Sequence, residues 1–190
     1  MASACGLTPD EGEQLAQLSA SQVHFFAESL AQKRLCEVGK LLPLCSLFLG
    51  EQFPALFFRY ASGFVPSGIK KHLEDAIAFA GYLERAAREE NLGPRWLADL
   101  ARYEAGWLLA SSGGRRWKLR GFRYGITAVL TCAAQGGGGA VPPELPSFAL
   151  WFRLGRRMRL RHLVLSLPLR LCAIAKRLGI FRPNAVGQPC

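Results

Sequence analysis

Residues 111–124 read S-S-G-G-R-R-W-K-L-R-G-F-R-Y, and the change of texture across them decides the fold. Ahead of Ser111, apolar residues recur at the spacing of helices with one buried side. From Trp117 the period shortens to two: Trp117-Lys118-Leu119-Arg120, then Phe122-Arg123-Tyr124, alternate apolar and basic residues as a half-buried strand does. Gly121, between the two runs, is a candidate bulge. A helical half followed by a strand-bearing half predicts an α+β chain, divided into a helical domain over 1–112, an α+β peptide-binding domain over 115–182 and a frayed tail over 183–190.

Working back from Ser111, five helices are expected. Thr8-Pro9-Asp10-Glu11 carries a start signal, with Thr8 as N-cap, Pro9 at the first helical position and Glu11 closing a capping box. Leu15, Leu18, Val23, Phe26 and Leu30 then mark the buried stripe of a helix from Pro9 to about Lys33. Shorter helices follow over Lys40–Leu49 and Glu51–Tyr60, the latter tolerating Pro54 in its first turn. Ile69–Glu90 is amphipathic, and Arg95–Ala110 carries Trp96, Tyr103 and Trp107 at helical spacing. Working forward, a short helix is expected over Ile126–Ala134, then an exposed, mobile connection through Gly136–Gly139 and Pro142-Pro143. Strands over Phe148–Leu154 and Met158–Leu165 would form a tight hairpin at Gly155-Arg156, and Pro168 would open a last helix ending at Gly179. The second half is thus a three-stranded antiparallel sheet with one or two helices and at least one open edge.

Charge divides the chain at the same place. Residues 1–114 hold 10 Lys/Arg against 13 Asp/Glu, whereas residues 115–190 hold 14 against the single Glu144, so a net of −3 is followed by +13. The second half should attract anionic surfaces or acidic side chains. No stretch reads as a membrane span: Leu41–Phe64 is interrupted by Pro43, Glu51, Pro54 and Arg59. Met1–Glu13 lacks the basic start of a secretory signal, and six cysteines without a C-x-x-C pair read as reduced thiols, so a cytoplasmic location is expected.

The catalytic inventory is thin. His24, His72 and His162 are far apart in sequence, no metal-ligand spacing is visible, and there is no phosphate-binding glycine loop or nucleophile elbow. The chain is therefore expected to carry no cofactor or metal and not to act as an enzyme by itself. What remains is a surface rich in arginine, the side chain suited to bidentate contact with carboxylate or phosphate. Trp117, Lys118, Leu119, Arg120, Phe122, Arg123, Trp151, Arg153 and Arg156 are the candidate peptide-binding residues, on a sheet whose open edge takes an extended segment as an added strand. The alternative is a basic DNA- or RNA-binding regulator, since neutralising phosphate with Lys/Arg is the general source of nucleic-acid affinity.

Two stretches carry a family resemblance. Phe53-Pro54-Ala55-Leu56 and the run Arg95-Trp96-Leu97-Ala98-Asp99-Leu100-Ala101-Arg102-Tyr103-Glu104-Ala105-Gly106-Trp107 resemble the F-P-A-L … Y-L-A-D-L-A-R-x-E-x-x-W pattern of bacterial partner subunits. Those subunits accompany TIM-barrel multinuclear iron enzymes that modify cysteines in ribosomally made peptides. The Trp151–Arg156 region is similar to their C-terminal sheet, and the length looks most like the partner subunit of methanobactin biosynthesis. The resemblance implies a heterodimer in which the barrel subunit holds the iron. Together the two would oxidise a precursor cysteine, using dioxygen, to an oxazolone with a neighbouring thioamide, the product being a copper-chelating peptide. It further implies that this chain's sheet resembles a precursor-peptide recognition element that captures the leader, and that its helical half docks on the barrel. Trp96, Tyr103 and Trp107 are the partner-interface residues implied.

Overall fold

A computed structural model describes Thr8 and residues 19–66, 70–112, 117–153 and 159–166. Within them the chain is α+β: six helices, mostly N-terminal, and a three-stranded antiparallel sheet.

Helix α1 spans Ala20–Leu41. Ser19 caps it: its hydroxyl accepts from the Gln22 amide at 3.2 Å, while the Gln22 side-chain oxygen accepts from the Ser19 amide at 2.9 Å. Of the expected box at Thr8–Glu11 only Thr8 is described, exposed and outside any helix; its other members, and Leu15 and Leu18, lie outside the described residues. The helix also runs eight positions beyond the expected end at Lys33, because Leu35 and Val38, followed by Leu42, continue a buried stripe. Pro43 supplies the break. A residue preceding proline is driven out of the helical region, and Leu42 sits at φ −121°, ψ 59°. Helix α2, Pro43–Leu49, begins on that proline, later than the expected Lys40.

Helix α3 covers Gln52–Ala61 and α4 covers Lys71–Glu89; α5, Leu97–Ser111, packs along α4 in the most extensive helix pair of the fold. Strand β1 is Trp117–Phe122, α6 is Ile126–Ala134, β2 is Ser147–Phe152 and β3 is Arg161–Ser166. The sheet order is β1-β2-β3, so β2 is central and β1 and β3 are edges.

Three local expectations are corrected. Pairing runs unbroken through Gly121, which faces Phe148, so the strand has no bulge; a Cβ at Gly121 would lie 3.3 Å from the Phe148 ring, and the glycine gives that ring room. Arg123 and Tyr124 form a bend rather than a strand. In the hairpin, described pairing stops at Phe152 opposite Arg161, so β2 ends two residues before the expected Leu154 and β3 begins three residues after the expected Met158. Residues 154–158, including Gly155 and Arg156, lie outside the described residues, as does the expected helix from Pro168.

The glycine run is a helix cap. Gly136 and Gly137 take φ of 63° and 85°, and their amides donate to the carbonyls of Ala133 and Cys132 at 3.0 Å each, closing the end of α6. Gly137 lies against Phe48 of α2, where an added Cβ would stand 2.9 Å from the ring. One apolar core holds Val38, Leu42, Phe57, Phe79, Leu83 and Leu100 from the helices together with Phe122, Ala149 and Trp151 from the sheet.

Candidate functional site

Helix α5 positions the sheet. Every side chain from Leu97 to Ala101 is buried, Asp99 included, so its carboxylate needs partners inside the protein. It finds them at the end of β1, accepting from the amides of Arg123 at 2.7 Å and Tyr124 at 2.9 Å. Five residues along, the Glu104 carboxylate accepts from the amides of Leu44 and Cys45 at 2.9 Å each, capping the start of α2 from a different helix. Burial pushes the carboxyls of Asp99 and Glu104 up, and those backbone donors pull them part of the way back. Burial also raises the Cys45 thiol. Arg102 donates to Glu84 of α4 and, at 3.1 Å, to the carbonyl of Gly121 in β1. Ser147 fixes the other side: its hydroxyl donates to the Tyr124 carbonyl at 2.7 Å and accepts from the Ile126 amide at 3.0 Å, supplying the cap that Gly125 lacks for α6.

The sheet's two faces differ in what covers them. Trp151 is fully buried on the inner face, packed on Tyr103 at 5.4 Å and Trp107 at 6.3 Å between ring centroids. Gly106 makes this possible, since a Cβ there would stand 2.6 Å from the indole. Cross-strand pairing aligns three rows on the outer face: Trp117–Phe152–Arg161, Leu119–Leu150–Leu163 and Gly121–Phe148–Leu165. Trp117 is 66 % exposed and Leu119, Leu163 and Leu165 about half exposed, so an apolar surface faces outward.

Against that geometry the predicted peptide-binding residues separate. Trp117 and Leu119 belong to the outer face, whereas Phe122 and Trp151 are core. Lys118 and Arg120 alternate to the inner side and are partly exposed. Arg123 pairs with Glu144 at 3.0 Å, and Arg153 donates to the Ser111 carbonyl at 3.2 Å, tying the end of β2 to the end of α5. Arg156 lies outside the described residues. Of the predicted interface residues, Trp96 (4 % exposed) packs on Phe48 and Tyr103 (6 %) lies against Trp151 and Phe122, which leaves a partner almost no surface on either. Trp107 is partly exposed and packs on Trp151 and His162.

The helical half presents its own apolar surface. Val23, Phe25, Phe26 and Leu30, three of them expected in a buried stripe, are 45–72 % exposed on the first turns of α1. Further along α1, Arg34 crosses to Asp75 of α4, with Nε and Nη2 on the two carboxylate oxygens at 2.9 and 3.0 Å, and Tyr60 donates to the same carboxylate at 3.0 Å. The hydrogen bond to Asp75 raises the guanidinium, and burial pushes the Tyr60 phenol up. Among the described residues no group of three or more His, Cys, Asp or Glu is placed to hold a metal ion, and no helix is long and apolar enough to cross a membrane. The buried acids Asp75, Asp99 and Glu104 are each engaged in holding elements together.

Sequence reasoning missed Asp99, Glu104 and Gly106. The signal for the two acids was their setting: each stands in a helix whose neighbouring positions are almost all apolar, where burial is hard to avoid. No family model matches the chain, and no curated protein matches it.

Proposed function

We propose that this chain is the non-catalytic subunit of a cytoplasmic heterodimeric oxidase whose iron resides in a TIM-barrel partner. It binds the leader of a ribosomal precursor peptide and presents the precursor's cysteines for conversion to oxazolone and thioamide, the chemistry of methanobactin biosynthesis. The observation that carries the reading is the unequal state of the two sheet edges. At β1, Arg102 already donates to the Gly121 carbonyl, and just past the strand Asp99 accepts from the amides of Arg123 and Tyr124, so α5 occupies the end of that edge. Among the described residues β3 pairs only with β2, and five of its six residues are exposed. An extended leader adding to β3 would gain main-chain hydrogen bonds, with Arg161 and His162 available to its side chains. The exposed Val23, Phe25 and Phe26 on α1 give the helical half an apolar surface for the barrel subunit. The regulator reading is disfavoured by α6, which lies in the basic half and carries no lysine or arginine to aim at a groove.

Two measurements test this. Co-expression with the barrel protein encoded beside it, followed by purification through a tag on this chain alone, should give a stoichiometric complex with the iron on the partner. Hydrogen exchange on that complex should slow at alternate amides of Arg161–Ser166 when the precursor is added, and leave β1 unchanged. A chain that stays free of the barrel protein and binds duplex nucleic acid with a steep salt dependence would overturn the reading in favour of a regulator.

A further inference from the structure

Positive charge gathers where α4, α5 and β1 meet. Arg85 and Arg88 of α4, Arg102 of α5 and Arg120 of β1 surround one carboxylate, that of Glu84. Arg88 Nη2 stands 2.9 Å from Glu84 Oε1, and Arg102 Nε donates to the same oxygen at 3.1 Å while its Nη1 holds the Gly121 carbonyl. Arg102 thereby ties the three elements together and brings Arg120 up to the α4 side chains. Among the described residues Arg85 and Arg120 act on Glu84 through space, with no hydrogen bond to it, and Arg120 Nε is buried without a partner. A buried donor left unpaired is costly, and native proteins keep few of them. Counting the nearby Asp99, which is buried and engaged with the amides of Arg123 and Tyr124, four guanidiniums face two carboxylates, an excess of two positive charges. Arg85 and Arg88 are exposed and Arg120 is partly so, which leaves the cluster open to a partner.

We propose that this cluster is a docking site for an acidic segment of a partner polypeptide, with Arg85, Arg88 and Arg120 taking its carboxylates. The chemistry on the page favours that ligand. One carboxylate, Glu84, is already held here, and the planar guanidinium fork matches carboxylate oxygens. The surroundings disfavour nucleic acid. Each strand of a duplex carries a phosphate about every 3.4 Å, and the exposed Glu89 and Glu90, which directly follow Arg88, repel such a row of charges. A short acidic segment needs only the cluster. This goes beyond the leader-capture reading, which rests on β3 at the opposite edge of the sheet.

The test uses the full chain and fluorescein-labelled hexaglutamate, followed by anisotropy at low salt. Arg85→Gln with Arg120→Gln should weaken binding about tenfold. Lys40→Gln with Arg59→Gln removes the same charge from two cations that already have acids of their own, Glu37 and Glu90, and should leave binding unchanged. Glu84→Gln should tighten binding about threefold or more, since the same guanidiniums then face the ligand without a resident carboxylate, a gain that a misfolded variant could not produce. Glu51→Gln, an exposed acid on α3's threshold, makes the same change of net charge and should have no such effect. Equal weakening by the two double variants would overturn the proposal, because net charge rather than a site would then hold the peptide. Equal affinities for Glu84→Gln and Glu51→Gln would overturn it too. So would an oligothymidylate that binds more tightly than hexaglutamate and depends in the same way on Arg85 and Arg120, which would assign the cluster to nucleic acid. Because neither precursor nor barrel protein is involved, failure here leaves the capture reading to its own test.

Discussion

Replacing Gly106 with alanine should destabilise the protein, although the same change inside a helix ordinarily does the opposite. The new Cβ would stand 2.6, 3.0 and 3.1 Å from Cη2, Cζ3 and Cζ2 of Trp151, where ordinary contact begins near 3.4 Å. Trp151 has little room to retreat: it is fully buried, with Tyr103 and Trp107 against it. Overpacking of this kind costs about 1–3 kcal/mol. Alanine in place of helical glycine returns about 0.5–1 kcal/mol. The net expectation is a loss of up to about 2.5 kcal/mol. Gly81→Ala in α4 is the control, because its nearest neighbour is the end of Arg85 at 3.8 Å; it should stabilise by about 0.5–1 kcal/mol. Urea unfolding followed by far-ultraviolet dichroism measures both. Trp151→Phe completes the cycle. The indole nitrogen has no hydrogen-bond partner, so the smaller ring loses packing only, and on that background Gly106→Ala should cost less or become favourable. A Gly106→Ala protein stabilised as much as the Gly81→Ala protein would refute the argument that this glycine seats the tryptophan.

Arg34→Met should lower stability by about 3–5 kcal/mol, since it strands the fully buried Asp75 with only Tyr60 as a side-chain partner; Glu90→Gln, which breaks the exposed pair with Arg59, should leave the urea midpoint unchanged. Stability should also depend on pH through the buried acids. Burial raises Glu84, Asp99 and Glu104 above their unfolded values, so the folded state holds protons longer, and their contribution is full below about pH 4 and is lost as pH rises through the folded values. The exposed Glu37 and Glu144 are lowered by Lys40 and Arg123 and act in the opposite direction, so the clean comparison is with Glu104→Gln. Across pH 4–7 that variant should lose less of its urea midpoint than the parent does, and an equal or larger loss would contradict the assignment.

The helices were legible because a buried stripe writes itself into the chain at a fixed period. Ile69–Glu90 and Arg95–Ala110 were expected within a few residues of α4 and α5. The long first helix was misjudged at its end because Cys36, Glu37, Gly39 and Lys40 dilute the stripe carried by Leu35 and Val38, and the stop came from Pro43 acting on Leu42. Its apolar start misled in the other direction. Val23, Phe26 and Leu30 have helical spacing, but periodicity shows only that one side of a helix is apolar, not that a neighbour covers it.

For the sheet, the same limit is sharper. Period two separates the residues of each strand into two sets, and both sets here are apolar: Trp117, Leu119, Phe148 and Leu150 on one, Phe122, Ala149 and Trp151 on the other. Alternation alone cannot say which set goes inward, and basic residues interleaved in β1 suggested that the tryptophans there and in β2 share a peptide-facing surface. They lie on opposite faces. A slip of one residue in β2 would exchange the two sets and turn Trp151 out. What prevents it is a helix distant in sequence, where the missing side chain of Gly106 leaves a recess of the right size for the indole and Tyr103 and Trp107 flank it. The register that aligns Leu119, Leu150 and Leu163 on the outside is thus fixed from the inside. The apolar outer face then follows from how α5 receives Trp151, and whatever covers that face must fit a surface already set by the core.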